Sequence, residues 1–323
     1  MRAALFIRTS RRKIICVEVL MCILFFGIDQ NSFSSSGASF LKLGVGARAL
    51  GLSSAYTAIA NDVTSLYWNP AGLSNLRKKE LSAMHAELFA DSKYDFFGYA
   101  HPTVRGTFGF GVVYLSQGAI EGRSQDRNQT SDFTASDLAM TLGASKFFID
   151  NVSLGMNLKL IQSRIAGFSS TGFAFDMGTI WKIPNKKIQS GLTIQNIGPK
   201  MQFIDEGYNL PLTIASGVGY QLISQVLISA DLKYHPYDSR TMLSIGAEFS
   251  PVSMLFLRTG YITNSVGSNS PSINNKDFSE KASNLSGLGF GLGLKLGSST
   301  VDYSFTPAGA LGNTQRISLS VKF

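Results

Sequence analysis

The sequence predicts an all-β protein: an antiparallel transmembrane β-barrel of about 14 strands with a small helical hatch from its N-terminal region inside the lumen. Three observations predict it. From about residue 79 to the end of the chain, apolar and polar residues alternate with period two. The segments that alternate are joined by short and long connections in turn, which is how a membrane barrel arranges tight periplasmic turns and longer outer loops. Finally, of 323 residues only 15% are charged, while 32 are Gly, 23 Phe and 11 Tyr. That is too uncharged for disorder and too rich in Gly and aromatics for a helical protein.

Residues 1–36 read as a secretory signal peptide. Arg2, Arg8, Arg11, Arg12 and Lys13 precede the apolar run "IICVEVLMCILFFGI", and Ser34 and Ser36 stand at −3 and −1 of a cleavage site. A run of fifteen containing Glu18 falls short of the roughly 20 residues a spanning helix needs. Both cysteines, Cys16 and Cys22, lie in this segment, so the mature chain has neither a disulfide nor a thiolate metal site. Removing residues 1–36, with five Lys/Arg and two Asp/Glu, lowers the formal charge from +8 to +5. Without a basic cluster, that surplus gives no support for nucleic-acid binding.

Residues 37–78 form the hatch. Within them, "RALGLSSAYTAIA" (48–60) places Leu50, Tyr56, Ala58 and Ile59 where a short helix would bury them, and Asn61-Asp62 break it. Pro70 pre-sets its own backbone, Gly72 frees the chain for a turn and Trp68 supplies an apolar anchor. Such a unit is too small to hold its own core and belongs in the barrel lumen. "GVGARA" (44–49) matches a dinucleotide-binding pattern, but no βαβ unit accompanies it.

Residues 79–323 form the barrel. Strands read near 79–89, 94–101, 106–117, 136–149, 151–163, 171–182, 187–197, 212–221, 225–234, 241–250, 254–262, 285–297, 300–306 and 314–323. In "NVSLGMNLKL" the apolar residues are Val152, Leu154, Met156, Leu158 and Leu160, and the alternation lapses at Ile161, near the strand's end. "TGFAFDMGTIWKI" sets Phe173, Phe175, Met177, Thr179 and Trp181 on one face, with Ile180 as the exception. The tight connections are 102–105, 150–151, 183–186, 222–224, 251–253 and 298–299; the intervening ones are mostly long, at 118–135, 164–170, 198–211, 235–240, 263–284 and 307–313, with only 90–93 short. No rule of soluble sandwiches produces that alternation.

The charges agree with a barrel. Lys159, Asp176, Asp231, Lys233, Glu248, Arg258, Lys295, Asp302 and Arg316 all fall on the polar face, hence in the lumen. In lipid each would cost up to about 2–4 kcal/mol, the carboxylates less. Their mixed signs suit a salt-bridged interior rather than a ring of one sign. Catalytic chemistry finds no foothold: the three histidines, His85, His101 and His235, are scattered, and no metal spacing, nucleophile elbow or phosphate loop is present. The chain reads as non-enzymatic and without a cofactor.

The stretch "GASFLKLGVGARALGLSSAYTAIANDVTSLYWNPAGLS" (37–74) resembles the N-terminal signature of the PorV/PorQ family of outer-membrane proteins, and "WNPAGL" resembles, more distantly, the opening of FadL-type fatty-acid transporters. "FDMGTIWKI", "GLTIQNIGPK" and the closing strand extend the likeness along the mature chain. Asn61 departs from it, standing where an acidic residue is more usual. The resemblance implies an outer-membrane barrel of fourteen strands with an N-terminal hatch and no catalysis. Some members of the first family serve type IX protein secretion, which makes secretion-system proteins or cargo the expected partners, met through the loops at 118–135 and 263–284. FadL-type barrels instead pass hydrophobic small molecules, for which stretches such as "DFFGYA" (95–100) would line a pocket; a purely structural barrel is the third alternative. On either functional reading Trp68, Asn69, Pro70 and Gly72 make the hinge and anchor of the hatch, and Asp62 latches it to lumen charges. Outer-membrane lipids surround the barrel, and the assembly machinery reads the last strand, ending in Phe323.

Overall fold

In the computed structural model, residues 36–122, 132–263, 287–307 and 313–323 are described. The signal-peptide expectation for residues 1–36 lies outside them except for Ser36, as do the middles of the loops expected at 118–135, 263–284 and 307–313.

Two-faced segments become strands because each can bury one face against lumen contents and turn the other to lipid. The chain forms β1 (Glu80–Glu87), β2 (Lys93–Thr103), β3 (Gly106–Ile120), β4 (Phe133–Ile149), β5 (Val152–Ile165), β6 (Phe168–Lys182) and β7 (Ile188–Ile197). A small hairpin, β8 (Met201–Phe203) and β9 (Glu206–Tyr208), follows. The series then resumes with β10 (Thr213–Ile223), β11 (Val226–His235), β12 (Arg240–Val252), β13 (Leu255–Ile262), β14 (Leu288–Leu296), β15 (Ser299–Pro307) and β16 (Asn313–Lys322).

Apart from β8 and β9, which pair with each other, every strand pairs antiparallel with its neighbour, β7 with β10, and β1 closes on β16. The result is a closed barrel of fourteen strands, the predicted fold, and closure leaves no sheet edge unpaired. Register at the seam runs Glu80↔Lys322 to Glu87↔Gln315, and the Phe323 amide donates to the Lys79 carbonyl at 3.0 Å. Outward side chains such as Leu158, Leu160 and Phe173 are exposed, as a lipid-facing surface requires, while Lys159 and Ala174 between them are buried.

Two expectations about the strands are corrected. Residues 164–170 are not a long loop: β5 and β6 run through them and turn over Ala166 and Gly167, both at positive φ. Ile161 lies near the end of β5, where the alternation lapses. It faces inward and is fully buried in one apolar cluster with Phe40, Leu41 and Leu66, while Ile180 does the same beside Tyr56 and Trp68. Both breaks in alternation are inward apolar residues that pack on the segment preceding β1. The connection at 236–239 is likewise short, a 3-10 turn at Pro236–Asp238.

That preceding segment contains no strand. It holds a 3-10 turn (Ser39–Lys42), helix α1 (Ala47–Gly51), helix α2 (Ser65–Trp68) and a second 3-10 turn (Pro70–Asn75). The helix expected over 48–60 stops at Gly51, because Ser53 and Ser54 adopt positive φ and fold the chain back. Leu50, Tyr56, Ala58 and Ile59 are nevertheless all buried, against barrel wall rather than along one helix. This segment is the plug. It begins beside Asn209 and Asp238 on the rim of the longer loops and ends at Lys79 on the rim of tight turns.

Candidate functional site, the plug and its lumen wall

The turn after α2 answers why "WNPAG" interrupts a strand-rich chain. Asn69 is extended and caps the following 3-10 turn: its Oδ1 accepts from Ala71 N at 3.1 Å, and Pro70 occupies the first helical position. Its amide donates to Thr57 O at 2.9 Å within the plug and to Thr179 O at 3.1 Å on β6. Trp68 donates Nε1 to Val45 O at 2.8 Å, and the Lys233 ammonium lies 4.4 Å from its ring centroid. Gly72 is pressed close: a methyl there would stand 2.5 Å from Ser65 Oγ and 2.6 Å from Ala60 O. The wall is thinned to match, since methyl groups on Gly155 or Gly178 would collide with the Pro70–Ala71 peptide or with Asn69 Oδ1. Ser74 bonds Ser145 of β4.

Charged residues then bind plug to wall. Arg48 of α1 donates Nε to Glu248 Oε2 at 3.0 Å and Nη2 to Glu248 Oε1 at 3.1 Å, a two-pronged contact with β12. Arg258 donates to the same Glu248 at 2.6 Å and to Asp302 at 2.6 Å. Burial opposes the Arg48 charge, but Glu248, Tyr56 and Asp62 outweigh it and hold the guanidinium protonated. Asp62 also accepts from Tyr56 OH at 2.5 Å and from Thr64 N at 2.9 Å.

Asp62, expected to latch the hatch together with nearby lumen charges, makes its hydrogen bonds within the plug. Those partners, Tyr56 and Thr64, lie ahead of α2, and Asp62 stands 3.7 Å from Arg48, which crosses to Glu248 on the wall. Sequence reasoning gave Arg48 no role and Tyr56 only burial. The available signal was an isolated cation in an otherwise apolar run.

The other charges on the polar face point inward and, apart from Lys295, are buried. Asp231 accepts from the Tyr56 and Thr57 amides at 2.9 and 2.8 Å, and Lys233 donates to Ser54 O at 2.7 Å, so both hold the turn after α1. Lys159 pairs with Asp176 at 2.8 Å; Asn157, bonded to Asp176, also donates to Leu66 O at 2.8 Å. Arg316 reaches Leu43 O at 3.3 Å. Lys295 is exposed and lines a vestibule of about 410 Å³ beneath the plug, with Lys78 and Lys322, at the tight-turn mouth.

The lumen is not polar all round. On the side of β2 to β5, Phe96, Val113, Ala139 and Ile161 face inward against Leu41, Leu66 and Tyr67 of the plug. A narrow seam runs between them, closing on Thr141 and Lys159, and its free volume is about 10 Å³. That is room for about one water molecule. Of "DFFGYA", Phe96 lines the seam, whereas Phe97 and Tyr99 face outward.

Fold and lumen together define a closed fourteen-stranded barrel with an N-terminal plug. A family profile described as an uncharacterised protein family (UPF0164) matches residues 29–172, which include the plug and β1 to β5. Among solved structures, the chain is similar to the toluene transporter TbuX of Ralstonia pickettii, at 12% identity and a TM-score of 0.64, covering 87% of this chain and 98% of that one. The Pseudomonas putida toluene transporter TodX gives 14% identity and a TM-score of 0.61, over 86% and 97%. A Pseudomonas aeruginosa FadL homologue gives 11% and 0.56, over 85% and 97%. At such identities the likeness shows the fold alone. No curated protein matches the chain. Neither the family match nor these structures bring in the PorV/PorQ family, and the secretion role implied by that resemblance has no support in them.

Proposed function

We propose that this chain is a non-enzymatic outer-membrane channel for small hydrophobic molecules, gated by its plug. The observation that carries the reading is the apolar seam. Water-filled barrels have polar lumens, yet here Phe96, Val113 and Ala139 form an apolar wall along one side of a plug that is itself apolar there. TbuX and TodX are toluene transporters, and the fold shared with them supports the same class of cargo. Because the seam holds about 10 Å³, passage needs the plug to shift, and the contacts of Arg48 and Asn69 set how readily it does. The same reading places the barrel in the outer membrane, with the strand ending in Phe323 presented to the assembly machinery.

The test is uptake of radiolabelled toluene by cells whose outer membrane carries this protein, against cells carrying an empty vector. Uptake is expected to rise, and to fall back when Ala139→Trp fills the seam. Unchanged uptake with a correctly inserted, heat-modifiable barrel would sink the proposal.

A further inference from the structure

Arg316 differs from the other lumen arginines. Arg48 and Arg258 each meet carboxylates, but among the described residues no carboxylate faces Arg316. It is nevertheless only 6% exposed, and its Nε has no hydrogen-bond partner. A buried guanidinium held by one carbonyl bond of 3.3 Å, to Leu43, is costly without a counter-charge.

Its neighbours repeat the anomaly. Tyr94, Ala86, Arg316 and Ser304 follow one another along a single row of strand pairing, through the registers Ala86↔Tyr94, Ala86↔Arg316 and Ser304↔Arg316. All four face inward and are buried, and the hydroxyls of Tyr94 and Ser304, like Arg316 Nε, have no partner. Ala86 is the small residue between Tyr94 and Arg316 in this row, and the two side chains are near enough to interact electrostatically. The plug covers this niche with the Leu43 carbonyl and with Tyr67, whose OH is already committed to Leu41 O at 2.7 Å.

Each unpartnered atom here can donate a hydrogen bond, and one of them belongs to a fixed positive charge. A water molecule would satisfy the hydroxyls but leave the charge uncompensated. We infer that this niche is a binding site for one small monovalent anion, of the halide class, held by Arg316 Nε, Tyr94 OH and Ser304 Oγ. Bound there, the anion neutralises the wall at the point where the plug segment Leu43–Gly44 crosses it and so fastens the plug. One positive charge favours one negative charge, which sets a halide ahead of sulfate.

The test uses the full chain in detergent. Crystals soaked in sodium bromide should show an anomalous peak within about 3.5 Å of Arg316 Nε. Thermal unfolding at constant ionic strength should show a saturable gain in Tm with chloride or bromide over gluconate, and a smaller gain with sulfate. Tyr94→Phe and Ser304→Ala each remove one donor while keeping the charge and the packing, and should weaken half-saturation by chloride about tenfold. No bromide peak, or a stabilisation that sulfate matches and neither variant weakens, would overturn the inference.

Discussion

Arg48 in the plug grips both carboxylate oxygens of Glu248 on β12, at 3.0 and 3.1 Å, and Glu248 is at the same time held by Arg258. The plug is thereby tied to a charge network that the wall would keep in its absence. Arg48→Met should loosen the plug without unfolding the barrel, since Glu248 retains Arg258. Breaking a buried pair costs about 3–5 kcal/mol when the remaining charge has no other partner; here the loss should fall below that. The expected readout is higher single-channel conductance in planar bilayers, with unchanged heat-modifiability on gels. Conductance equal to wild type would remove Arg48 from the gate.

Gly155→Ala should act on the plug from the wall side. The added methyl collides with the Pro70–Ala71 peptide, whose backbone cannot yield as a flexible side chain would. Limited proteolysis should then cut residues 60–78 faster than in wild type, while the strands stay protected. The same substitution at Gly167 meets open space at positive φ and should leave plug proteolysis unchanged.

Asn69→Ala removes a cap and two carbonyl partners at once. Loss of the cap alone is worth about 0.5–2 kcal/mol, and the Thr57 and Thr179 carbonyls lose their side-chain donor besides. In a Trp181→Phe background, Trp68 becomes the sole tryptophan. Its emission should shift to the red and become accessible to acrylamide. A buried, unquenched Trp68 in this variant would show that Asn69 does not hold the turn.

At the loop rim, Asp238 accepts from Lys42 Nζ at 2.9 Å and from Ser36 Oγ at 3.0 Å. Burial works to raise its pKa, but the bond and charge of Lys42, with Ser36, prevail and hold the carboxylate below its ordinary value. A carboxylate with a lowered folded pKa stabilises the fold above its unfolded value of about 3.9, and that contribution disappears as pH falls through the folded value. Thermal unfolding should therefore show wild type losing more Tm than Asp238→Asn between about pH 5 and pH 3. Parallel losses would show that this contact adds nothing measurable, as for many exposed pairs.

How much of this was legible in the sequence depends on how local its cause is. Strand identity follows from period-two alternation, so residues such as Leu158 and Lys159 betray their opposite faces without any partner in view, and fourteen strands closing on β16 were expected from that pattern and the connections between strands. A segment such as 37–78, too small for its own core, likewise had to seek burial elsewhere. What only the tertiary structure decided concerns pairs distant in the chain. Whether Arg48 meets Glu248 or Asp62 binds the wall depends on where the plug's turns lie, and those turns rest on positive φ at Ser53 and Ser54, residues that carry no strong signal for it. Ile161 and Ile180 broke the alternation for the same reason: their partners are plug residues about a hundred positions away. Periodicity records which face a residue takes, whereas what it touches there is set by the closed barrel around the plug.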